Sequence, residues 1–140
     1  MKDIFHPIRK AYYTVLAGNI THKGQPVQVY DAIPLQAAYP YVLFAQQNAN
    51  PVTNKRGCEQ YETAILVEII TGYFGVQGGK KDADMIADQI LTLLTPPLPS
   101  IPGLDVGLCY LDSDFDQGRE MTDTSTINRR LIRFSNTVNL

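Results

Sequence analysis

Apolar residues recur at helical spacing at the start of the chain. Ile4, Ile8, Ala11, Tyr12, Val15 and Leu16 form one stripe, the i, i+4, i+7, i+8 pattern of an amphipathic helix. Asp3 suits the positive end of that helix, Pro7 is tolerated in its first turns, and Gly18-Asn19 is a natural stop. "ITHKGQPVQVYD" then predicts two short strands around Lys23-Gly24, with Ile20, Val27 and Val29 pointing inward. Pro34 and Pro40 hold the next stretch extended, and the apolar run from Tyr41 to Ala45 predicts a short buried strand. "QNANPVTNKRG", Gln47 to Gly57, is polar and rich in Asn, which predicts a projecting loop.

Strict alternation follows. Tyr61, Thr63, Ile65, Val67, Ile69 and Thr71 share one face of a β-branched-rich strand, and Glu62, Ala64, Leu66, Glu68 and Ile70 share the other. The period then returns to that of a helix in "DADMIADQILTLL". Ala83, Ile86, Ala87, Ile90, Leu93 and Leu94 are its buried stripe, Asp82 is its expected N-cap, and Asp84 adds charge to the first turn. "TPPLPSIPG" ends the helix and reads as a rigid linker inside the domain. "DVGLCYLD" and "INRRLIRFSNTVN" predict two last strands, with the acidic stretch up to Asp123 as their hairpin connection. The order predicts a single α+β domain over residues 1–140, a mostly antiparallel sheet with two main helices packed on one side.

Composition narrows the function classes. The chain has 140 residues, enough for one core without a metal or disulfide. A net charge of −2 offers no basic excess for phosphates, which argues against nucleic acid as a main partner. Cys58 and Cys109 lie far apart without a CxxC, the pattern of free buried thiols. The N-terminus "MKDIFHPIRKAYY" is charged where a signal peptide is apolar, and no run reaches the ~20 apolar residues of a membrane span. These features predict a soluble, cytoplasmic product with no membrane partner.

Catalytic chemistry finds little to stand on. "GVQGGKK" fails the phosphate-loop pattern twice: Phe74 stands where the first Gly is required, and Lys81 follows Lys80 in place of Ser or Thr. His6 and His22 fall in different elements, and neither HExxH nor GxSxG occurs. The expectation is a non-enzyme without a cofactor. One stretch, "YLDSDFDQGREMTD", has the rhythm of a calcium loop. Asp112, Asp114, Asp116 and Asp123 fit ligand positions 1, 3, 5 and 12. Against it, glycine comes one residue late as Gly118, Asp123 replaces the bidentate Glu, and strands replace the flanking helices. An acidic turn between strands, with Arg119, Arg129, Arg130 and Arg133 as charge partners within or between subunits, is the favoured reading.

The order of segments resembles a known family. An N-terminal helix leads to "VYDAIPLQAAYPYVLFAQQ", then a polar loop ending at Gly57, a long strand, a Gly-rich turn, "ADMIADQILTLL", and a final strand like "RRLIRFSNTV". "YDAIP" (Tyr30 to Pro34) and "YPYV" (Tyr39 to Val42) are the sharpest parts. This is similar to the tail-completion or tail-terminator proteins of long-tailed bacteriophages, the lambda-type tail terminator and its siphophage relatives. The resemblance spans Ile4 to Val138 and departs in the longer "TPPLPSIPGLD" linker and in the length of the acidic segment.

It implies a structural virion protein, found in the tail or neck and in the host cytoplasm during assembly. Such proteins cap the head-proximal end of the tail tube as a homohexameric ring, end tube polymerisation and join the tail to the head connector. The implied partners are further copies of the chain, the major tail tube protein and the head-tail connector or neck protein, with DNA passing through the channel without specific binding. Candidate interface residues are Glu62, Glu68, Arg129, Arg130, Arg133, Asn54, Lys55 and Arg56. An acidic lumen, lined by the aspartate segment or by Glu62 and Glu68, would keep passing DNA from sticking. The alternatives are a neck or head-tail joining protein of similar fold, and a calcium-dependent binding module built on Asp112 to Asp123.

Overall fold

A computed structural model describes residues 2–52, 59–74, 79–121 and 124–140. Helix α1 (Phe5–Leu16) starts where the Phe5 N–H donates to the Asp3 carboxylate at 3.1 Å and ends before Gly18, which takes a left-handed φ of 77°. Strands β1 (Thr21–His22) and β2 (Gln25–Pro26) form a small antiparallel hairpin. Its turn passes through Lys23 and Gly24 at φ 50° and 78°, the two consecutive positive angles of a type I′ turn. Strands β3 (Gln28–Tyr30), β4 (Tyr41–Pro51) and β5 (Gln60–Phe74) follow, then helix α2 (Lys81–Leu93), and last β6 (Asp105–Val106), β7 (Tyr110–Met121) and β8 (Ser125–Asn139).

These six strands make one sheet in the order β3-β4-β5-β8, with β6 and β7 both paired to the far side of β8. Only β3 and β4 run parallel. The fold is therefore α+β, with both helices on one face. The core joins Ile8, Tyr12 and Leu16 of α1 and Ile86 and Ile90 of α2 to Val42, Val67, Ile69, Ile132 and Phe134 of the sheet. The alternation in β5 predicted this, since its Ile65, Val67 and Ile69 are the buried face. Each such aliphatic side chain, fully buried, contributes about 1.5–3 kcal/mol. No helix among the described residues is long and apolar enough to cross a membrane.

Four boundaries differ from the sequence reading. The strand expected to stop at Ala45 continues to Pro51. The polar stretch expected to be a loop, Gln47 to Gly57, is strand as far as Pro51 because β5 is long enough to pair with it, and 53–57 lie outside the described residues. Lys80, not Asp82, is the cap residue of α2, and no side chain caps it. Asp82 lies inside the first turn, its carboxylate engaged elsewhere. The acidic stretch is not a hairpin connection: Asp112, Asp114 and Asp116 lie within β7, paired along β8. "DVGLCYLD" is not continuous strand either, because β6 ends at Val106 and β7 begins at Tyr110.

Candidate functional site

Neither helix packs on the other face of the sheet, where Leu43, Glu68 and Leu131 are half-buried and Tyr41 and Ile70 are buried. One row across it reads Leu43, Glu68, Leu131 and Phe115, on β4, β5, β8 and β7 in turn. The next row reads Tyr41, Ile70, Arg129 and Gly118. Glu68 sits among leucines and meets Arg129 diagonally at 2.8 Å, with the Glu68 side chain 12% exposed. That bond, with Glu68 and Glu120 nearby, holds the Arg129 guanidinium above its ordinary pKa. Tyr41 stacks on Tyr39 at 5.5 Å and meets Tyr30 edge-on at 5.9 Å. Its hydroxyl is pushed up by burial first, then by Tyr39. The "YPYV" motif earns its form here: the Tyr39 ring lies where a Cβ on Gly72 would come within 2.5 Å of it. Only glycine admits that close approach.

Further along the same face, Arg133 reaches across β5 to the Asn48 side-chain oxygen at 3.4 Å. Arg133, Asn50, Glu62, Tyr110, Asp112 and Ser135 help line a small cleft of about 130 Å³. Glu62 is exposed. Of the sequence-named interface residues, then, Glu68, Arg129, Arg133 and Glu62 share this face. Arg130 points to the helix side instead. Asn54, Lys55 and Arg56 lie outside the described residues.

On the helix side the aspartates have cationic partners within the chain. Arg130 forks onto both oxygens of Asp114, at 2.9 and 2.6 Å, and reaches Asp84 of α2 at 2.9 Å. This raises the Arg130 pKa, the Asp114 bond first. Lys80 meets Asp116 at 3.0 Å, and the Gly118 N–H donates to Asp116 at 2.8 Å. Together they hold the Asp116 carboxyl below its ordinary pKa. Gly118, at φ 89°, sits at a register shift between Asp116 and Gly118. It is a β-bulge glycine, which accounts for its late arrival in a would-be calcium loop. Among the described residues no three His, Cys, Asp or Glu gather as metal ligands would, and Asp123 lies outside them. The charged groups tie β7 to the start of α2.

Two polar clusters were not foreseen. Beneath α1, the Tyr12 hydroxyl donates to the Asn136 side-chain oxygen and accepts from Cys109 Sγ at 3.4 Å. Asn136 Nδ2 donates to the Gly107 carbonyl at 3.0 Å and to Cys109 Sγ at 3.3 Å. Burial, and then Cys109, pushes the Tyr12 pKa far up. Beside α2, His22 Nε2 lies 3.4 Å from Asp82, to which the Tyr73 hydroxyl also donates. Burial and then Asp82 push Tyr73 up to about 12. The second cluster, His22, Tyr73 and Asp82, lines a pocket of about 250 Å³ together with Lys23, Tyr39 and Thr71.

No protein-family model matches the chain, and no curated protein sequence matches it. Among solved structures, it is similar to a chain in the structure described as "Virion of native gene transfer agent (GTA) particle". The TM-score is 0.65 at 16% identity, covering 97% of this chain and 91% of that one. The two share a fold over nearly their whole length.

Proposed function

We propose that this protein is a non-enzymatic virion component of a phage or phage-like particle that closes the head-proximal end of the tail tube. Copies form a ring, end tube polymerisation and present a surface to the head connector. The single observation that carries the reading is the fold shared with a chain of the gene transfer agent virion over 97% of this sequence. The "YDAIP" and "YPYV" motifs support the tail-terminator role within that class, and "YPYV" builds the Tyr39–Gly72 packing at one end of the sheet. The long sheet, with no helix on one face, gives a chain of this size the surface that ring contacts require.

The test is genetic and structural. Deleting the gene from the phage or prophage that carries it should give tubes of uncontrolled length and heads without tails, seen by electron microscopy. Adding back purified protein should restore joining. Normal tails from the deletion would refute the role.

A further inference from the structure

Strand β7 is a liability as it stands. It is 12 residues long, and every side-chain position but Gly118 is exposed. Its inner edge pairs with β8, and among the described residues no strand pairs with its outer edge. It carries Tyr110, Leu111, Phe115 and Met121 in the open, Phe115 at 61% exposure. Soluble proteins avoid or cover a long edge of unpaired N–H and C=O groups flanked by apolar side chains. The opposite margin of the same sheet is open too. Strand β3 covers β4 only from Tyr41 to Leu43, so Gln46 to Pro51 pairs on that side with no described strand.

We propose that β7 of one copy of this chain adds to the open edge of β4 in the next copy, joining their sheets head to tail. Two observations select a second copy as the occupant. The first is strand direction. From β4 through β5 and β8 to β7 each neighbour is antiparallel. Copies in the same orientation therefore bring β7 antiparallel to β4, the more stable pairing.

The second is length. Gln46 to Pro51 extends for about 20 Å, a usual strand length. The register shifts in β7 leave Ser113 to Asp116, about 13 Å, as a regular run that fits within that length and includes Phe115. Pro51 has no N–H and ends the pairing. Joined this way, unlike edges make a heterologous contact, which gives a ring when the rotation closes. The pairing stands on the chain's own sheet margins and goes beyond the tail-capping role, which could fail separately.

Cysteine cross-linking tests it. Within one chain β7 and β4 are separated by β8 and β5, about 14 Å, beyond the ~7 Å Cα reach of a disulfide. A bond between Phe115→Cys and Ala49→Cys, or Gln47→Cys, must therefore join two copies. Oxidised double variants should give a ladder of multimers on non-reducing gels, absent from the parent protein with its native cysteines. In parallel, Leu111→Lys/Phe115→Lys should turn the multimers seen by native mass spectrometry into single copies while the melting temperature stays unchanged. Both positions are exposed, so that variant keeps its fold. No ladder, multimers that survive the lysine variant, or a wild type that remains a single copy at its solubility limit would each overturn the pairing. Tail capping lost with the ladder intact would sink the virion role and leave the pairing standing.

Discussion

Asn136 is the residue whose replacement tests the structure most sharply. It is buried at the junction of α1, β8 and the chain at 107–109, where its oxygen accepts from Tyr12 and its nitrogen donates to Gly107 and Cys109. Asn136→Leu keeps the volume and leaves the Tyr12 hydroxyl and the Gly107 carbonyl without those partners. Each buried group so stranded costs about 1–3 kcal/mol, so the variant should lose about 3–4 kcal/mol. For a domain of this length the unfolding entropy is about 0.3 kcal/mol per degree, which makes the fall in melting temperature about 10–13 °C. Tyr12→Phe removes only the donor and should cost about 1–2 kcal/mol. In the double variant the Tyr12–Asn136 bond can be lost only once, so the total should be about 2 kcal/mol less than the sum of the singles. The chain has no tryptophan, so far-UV circular dichroism in guanidinium is the suitable assay. Additivity within about 0.5 kcal/mol would refute the network.

Three further outcomes follow from the same geometry. Tyr12, Tyr41 and Tyr73 all have pKa values raised in the fold, so their contribution is whole below about pH 10, where unfolded tyrosines ionise, and is lost as pH rises above it. Tyr12→Phe should flatten the alkaline limb of a melting-temperature profile, and an unaltered limb would contradict the assignment. Gly72→Ala should cost about 1–3 kcal/mol by forcing a methyl against Tyr39. That cost should vanish in a Tyr39→Ala background, measured by thermal melts, and persistence there would show that Tyr39 is not the obstacle. Millimolar calcium should leave the melting temperature within about 1 °C of its value in EDTA, whereas a site filled a hundredfold above its Kd would add ~2.7 kcal/mol. Asp114 and Asp116 already have Arg130 and Lys80, and a clear calcium-dependent rise would restore the metal reading.

How far the sequence could be read depended on whether one face of an element is buried. Both helices and β5 announced themselves because burial on one side writes a period into the residues, and Ile8, Ile65, Ile69 and Ile86 all lie where that period put them. β7 wrote no such period. Its side chains are exposed on both faces, so its aspartates, set at alternate positions by strand geometry, imitated the spacing of metal ligands. Gln47 to Pro51 misled for the same reason, being polar residues held in the ladder by β5. The Tyr12–Asn136–Cys109 cluster joins Tyr12 to residues 97 and 124 positions away, and no local pattern could reveal it. Glu68 with Arg129 was visible as opposite charges on neighbouring strands, but their diagonal register depends on pairing that only the assembled sheet fixes.

Native mass spectrometry of the purified protein, alone and mixed with tail tubes, tests the central claim most directly. The account predicts a closed ring of copies, six in the resemblance-based reading, bound at one end of each tube and halting its growth. A single copy that leaves tube growth unchanged would contradict it.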